Sequence, residues 1–145
     1  MAETLGMLCD KLTIVKLKQY HTEDVQKQES LDKQAVQLQT EIDEYMKNAV
    51  EGRIAPERLI FDSNKVYKKE GNDIAEVTGN FGAIFYRLAD VNCRLWHEQE
   101  KVYEFDKVAA EQKDMVVKQL ALLNLERNKC IDALNEHFKN IIIKK

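Results

Sequence analysis

Apolar residues recur along this chain at steps of three and four, the spacing that puts them on one face of an α-helix. The first stripe is Leu5, Leu8, Leu12 and Val15. Thr4 stands where its hydroxyl can accept from a free amide of the first turn, which makes it the expected N-cap. This helix is expected to end between Val25 and Glu29. Ser30 is then expected to cap a second helix, whose stripe of Leu31, Ala35, Leu38, Ile42, Tyr45 and Ala49 runs until Gly52 stops it. A third stripe holds Phe81, Ile84, Leu88, Val91 and Leu95; a fourth holds Leu120, Leu123, Ile131, Leu134 and Phe138. Four amphipathic segments with short connections predict an all-α protein, an antiparallel four-helix bundle of two hairpins spanning about 4–51 and 80–140. The segment between them, about 52–79, is irregular. Pro56 suits the first position of a short helix there. The third helix is expected to begin at Asp73 or at Asn80, since both can cap.

Composition agrees with this reading. A chain of 145 residues fits one domain with one core, which buries roughly 70% of the unfolded surface. One proline and five glycines are too few to punctuate many short strands. The 22 basic and 25 acidic residues are spread along the chain, so no basic surface for nucleic acid is expected. Lys68-Lys69 ahead of Gly71 reads first as a solvated turn and second as a phosphate contact. No stretch approaches the roughly 20 apolar residues that span a bilayer, and Met1-Ala2-Glu3-Thr4 has none of the marks of a signal peptide, so a cytoplasmic location is expected. Cys9, Cys93 and Cys130 are odd in number, far apart and without C-x-x-C spacing, and read as reduced core residues.

Laying Gly6 on Gly82 also lays Leu12 on Leu88, Val15 on Val91 and His21 on His97, with Lys18 on Arg94 and Tyr20 on Trp96. Laying Leu31 on Leu120 brings Ile42 onto Ile131 and Asp43 onto Asp132. The pattern reads as an internal repeat of the helical hairpin. Where the halves differ, the second is the polar one: Asp90 replaces Ile14, Asn124 replaces Ala35 and Arg127 replaces Leu38.

Folding the second hairpin about a loop near 104–113 brings Asp90 level with Arg127, where a carboxylate and a guanidinium can pair in two-pronged fashion. His97 and Glu100 share a helical face one or two turns away. With Asn92, Asn124 and Asn128 they are candidates to line one polar cleft. The plainer reading is a satisfied polar layer that sets helix register, or a wet edge of the bundle. Trp96 and Tyr20 border the stripe and surface, as packing aromatics or as a ligand platform. A metal is not expected, because His21-x-x-Asp24 and His97-x-x-Glu100 reverse the order used in di-iron bundles. Cys93 lies one turn before His97, but an inert thiol is the simpler reading.

The run Asn92-Cys-Arg-Leu-Trp96-His97-Glu98-Gln99-Glu100, followed by Leu123-Asn124-Leu-Glu-Arg127-Asn128-Lys-Cys-Ile131-Asp132, resembles the bacterial domain-of-unknown-function family 4254. There one helix reads Asn-x-Arg-Leu-Trp-His-x-Glu-Asp and the next Asn-x-x-Arg-Asn-x-x-Ile-x-x-Ile-Asp. The resemblance covers the second hairpin; Gln99 and Glu100 depart from the family's Glu-Asp. It implies no particular reaction, a loose tie to bacterial cell-surface glycan synthesis, and importance for Asn92, Trp96, His97, Asn124, Arg127 and Asn128.

The leading expectation is a non-enzymatic helical module that binds a partner protein or a small anionic ligand through a polar cleft of the second hairpin, with no cofactor. Its site would comprise Asp90, Asn92, Trp96, His97, Glu100, Asn124, Arg127 and Asn128. One alternative is a hydrolase or transferase with His97 as general base oriented by Glu100. Another is a homodimer joined through Ile14, Leu17 and Ile141-Ile142-Ile143.

Overall fold

The computed structural model describes residues 3–60 and 74–144. It is all-α, with four helices in two antiparallel hairpins and no strand among the described residues. The first hairpin joins α1 (Leu5–His21) to α2 (Val25–Val50), and the second joins α3 (Phe81–Tyr103) to α4 (Ala110–Ile143). No helix is long and apolar enough to cross a membrane among the described residues. Lys68, Lys69, Gly71 and Asp73 lie outside those residues.

The caps explain where the helices begin and end. Thr4 accepts from the Met7 amide, as its position predicts. The expected end of the first helix at residues 25–29 needs correction, because α1 stops at His21 and a turn of residues 22–24 reverses the chain. Asp24, not Ser30, caps α2: its carboxylate accepts from the amides of Gln26 and Lys27, at 2.9 and 3.1 Å. An ionised cap facing two free amides at the positive end of a helix outcompetes a serine six residues on. The Gln28 side chain then ties the turn by donating to the carbonyls of Gln19 and Thr22. Gly52, at a φ of 77°, ends α2 in a conformation that glycine adopts without strain. Asn80 precedes α3, and Pro56 opens a single 3₁₀ turn as expected.

Side-chain contacts give the packing order. Gly6 meets Asn135 and Asp10 meets Arg127, so α1 and α4 run antiparallel. Thr13 meets Asn92 and His21 meets Trp96, so α1 and α3 run parallel. Helix α1 thus touches all three others, and α2 lies on its outer side. The main core gathers Leu5, Cys9, Ile84, Leu88, Cys130, Leu134 and Phe138, and the C-terminal end of α2 joins it through Ala49 and Tyr45. Leu59, buried beyond the 3₁₀ turn, closes that end. A smaller cluster of Val91, Leu95 and Leu123 seals α3 on α4 farther along.

The approach of α1 to α4 is close because of a glycine. A Cβ at Gly6 would stand 2.6 Å from the Ile131 carbonyl oxygen. The bare backbone there lets the Gly6 amide donate to Asn135 Oδ1 at 2.7 Å, inside the core. Beyond Asp10, α1 contributes only Val15 to the buried set, and no residue of α1 belongs to the cluster that seals α3 on α4.

Candidate functional site

Between the two apolar clusters lies a polar layer made by three helices. Asp10 of α1, 3% exposed, receives Arg127 of α4 in a two-pronged ion pair, with Nε on Oδ1 at 2.9 Å and a terminal nitrogen on Oδ2. Asn92 of α3, 1% exposed, donates to Asp10 Oδ1 at 2.9 Å and to Thr13 Oγ1 at 2.7 Å. Thr13 in turn donates to the Asp10 carbonyl. The acceptors on α1 therefore decide which way the Asn92 amide points, and its Oδ1 has no partner among the described residues. The bond to Asp10, aided by the carboxylate's charge, raises the Arg127 pKa against the opposing effect of burial.

This layer corrects the expected pairing of Arg127 with Asp90. Asp90 is exposed and pairs along its own helix with Arg94 at 3.1 Å. The residue of α4 that faces α3 is Glu126, nearly buried, which holds Arg87 and Arg94 at 3.3 and 3.1 Å. Counting from the loop gives the height of a residue along a hairpin but not its azimuth. One position separates Glu126 from Arg127, about 100° of turn, and it sends the first toward α3 and the second toward α1.

The expected cleft thus separates into three places. Asn92 and Arg127 belong to the buried layer. Asp90, Asn124 and Asn128 lie on the outer side of the second hairpin, where Asn128 donates back to the Asn124 carbonyl. Trp96, His97 and Glu100 line an open groove of about 520 Å³ between α1 and α3. Opposite them stand Leu17, Tyr20 and His21 of α1, with Ala89 and Cys93 along the floor of α3. Cys93 is exposed there, which corrects its assignment to the core; Cys9 and Cys130 are buried as expected. Burial pushes both of those thiols up to about 11, so they stay protonated and inert near neutral pH.

Two aromatic rings build one wall. The His21 imidazole stacks on the Trp96 indole, with centroids 4.7 Å apart and planes 23° from parallel. His21 Nδ1 lies 2.8 Å from the Leu17 carbonyl, so Nδ1 carries the proton and Nε2 is left for a ligand. Tyr20, 85% exposed, meets His21 edge to face and extends the rim. His97 and Glu100 share the groove, yet His97 makes no hydrogen bond among the described residues. Among those residues no three His, Cys, Asp or Glu side chains gather as a metal site requires.

Sequence reasoning named Arg127 and Asn92 but missed Asp10 and Thr13, the acceptors they serve. A signal was present: Gly6, Asp10, Thr13 and Leu17 follow one another at steps of four, three and four. That is a second face of α1 beside the apolar stripe, small and polar at Gly6, Asp10 and Thr13 and apolar again at Leu17. No family model, no curated protein and no solved structure matches this chain.

Proposed function

We propose that this protein is a non-catalytic helical binding module whose site is the α1–α3 groove, and that its ligand is a small molecule with an apolar body and an anionic end. The observation that carries this reading is the His21–Trp96 stack walling a largely apolar cleft of about 520 Å³. That size and lining, with a few polar groups at the rim, are those of a small-molecule pocket. Leu17, Ala89 and the ring of Tyr20 offer contact to an apolar body, and Lys16, which also borders the groove, offers a cation. Binding is favoured over catalysis because, among the described residues, His97 has no hydrogen-bonded partner to orient it as a base, Glu100 included.

The test is calorimetric titration of the full-length protein with aryl carboxylates, phosphomonoesters and nucleotide sugars, the last chosen for the resemblance to family 4254. At least one class is expected to bind with a one-to-one endpoint. Alkylating the exposed Cys93 thiol, which plugs the groove without any change of sequence, is expected to weaken that binding. Equal binding by alkylated and free protein rejects the groove as the site.

A further inference from the structure

A second cleft, about 330 Å³, opens on the far side of the His21–Trp96 stack, between the end of α1 and the start of α2. Its charge is one-sided. Lys18 and Lys27 border it, and among the described residues no carboxylate does. Neither lysine has an acidic partner among the described residues, although Lys11, Lys101 and Lys107 each have one. Asp24, three residues before Lys27, turns Oδ1 of its carboxylate to the cap of α2, and neither Glu23 nor Glu29 pairs with Lys27 among the described residues.

The neutral groups at the cleft are donors as well. Ser30 Oγ accepts from Gln34 at 3.2 Å, which leaves the hydroxyl proton free to donate outward. The Thr22 hydroxyl stands at the same rim without a partner among the described residues, its backbone groups being engaged by Gln28 and Lys18. Two lysines, two hydroxyl side chains and the Gln34 amide thus border a space that no anion among the described residues borders.

We propose that this cleft is an oxyanion subsite for the phosphate of a phosphomonoester. A dianion with three terminal oxygens matches two cations and several hydroxyl or amide donors better than a single carboxylate does. Because His21 and Trp96 border both this cleft and the α1–α3 groove, the phosphate sits on one side of the stack and the remainder of the ligand on the other. That second half rests on the groove reading given above; the subsite itself does not.

The experiment follows ³¹P line widths and shifts of inorganic phosphate and of phenyl phosphate, titrated with the full chain. Saturable binding of both is expected, with phenyl phosphate the tighter. Lys18→Gln and Lys27→Gln should each weaken both by about tenfold, the scale of a lost charge-assisted hydrogen bond, while Lys47→Gln on a remote turn of α2 should change neither. Both lysines are exposed, so the variants retain the fold, and far-UV circular dichroism checks that. Lysine-dependent binding of the two ligands with equal affinity keeps the subsite and removes the groove. Phenyl phosphate bound equally by wild type and both lysine variants keeps the groove and overturns the subsite. Absence of phosphate binding, or binding indifferent to both lysines, also overturns it.

Discussion

Arg127 on α4 holds Asp10 on α1 in a two-pronged ion pair, and through Asn92 the same carboxylate is tied to α3. Three helices thus converge on one buried oxygen pair. A buried carboxylate is tolerable only while its partners remain, so the layer sets which rotation of α1 about its axis is allowed.

Removing one partner should therefore cost more than removing both. Arg127→Ala is expected to lower stability by about 3 kcal/mol, since it leaves Asp10 buried and unpaired. The double variant Asp10→Leu/Arg127→Met should recover much of that loss. Urea denaturation of the two variants beside wild type measures the difference; equal destabilisation by single and double variants contradicts the account.

Gly6 and Gly82 align in the sequence but differ in their surroundings. Gly6→Ala would push a methyl group to 2.6 Å from the Ile131 carbonyl, and destabilisation of about 1–3 kcal/mol is expected. Gly82 has nothing within 4 Å of a Cβ and lies in α3, so Gly82→Ala should raise stability by about 0.5–1 kcal/mol. Thermal unfolding of the pair should shift in opposite directions.

The three thiols should react in two classes. Cys93 is exposed, and Cys9 and Cys130 are buried with their thiols held up to about 11. A chromogenic disulfide reagent at neutral pH should consume one thiol quickly and the others only on unfolding. Fast loss of two or three thiols from the folded protein contradicts the packing of α1 on α4.

Asp132 provides a pH dependence whose sign is fixed. Burial, and then the neighbouring charge of Glu136, raise its pKa. An acid raised in the folded state binds more protons folded than unfolded, so stability falls as pH rises from the ordinary carboxylate range through the folded-state value. Asp132→Asn, which stays neutral, should match wild type at the acid end of that window and exceed it above. Denaturant midpoints of the two proteins across the window test this.

The helices were legible because burial of one face imposes a period of three and four on the sequence, as the stripes through Leu31 and Leu88 show. The α1–α2 boundary was not: Ser30 alone is the expected cap, whereas the chain reverses earlier, at a turn that Gln28 ties to the carbonyls of Gln19 and Thr22 and that Asp24 caps. The candidate site was half legible. Comparing the hairpins singled out Arg127, but pairing within one hairpin could not place Asp10, which comes from the other. Trp96, His97 and Glu100 do share a surface, and their partners Tyr20 and His21 stood at the aligned positions of α1. Parallel packing of α1 and α3 brings those positions together, and no pattern within one helix reveals that packing.

The chain has a single tryptophan, and it is Trp96. Its emission therefore reports directly on the groove wall. Titration with phenyl phosphate is expected to change that emission saturably in the wild-type protein, and to need a clearly higher ligand concentration once Cys93 is alkylated and only the phosphate subsite remains open. Emission that never saturates, or that saturates identically in the alkylated protein, contradicts the claim that a ligand enters between α1 and α3.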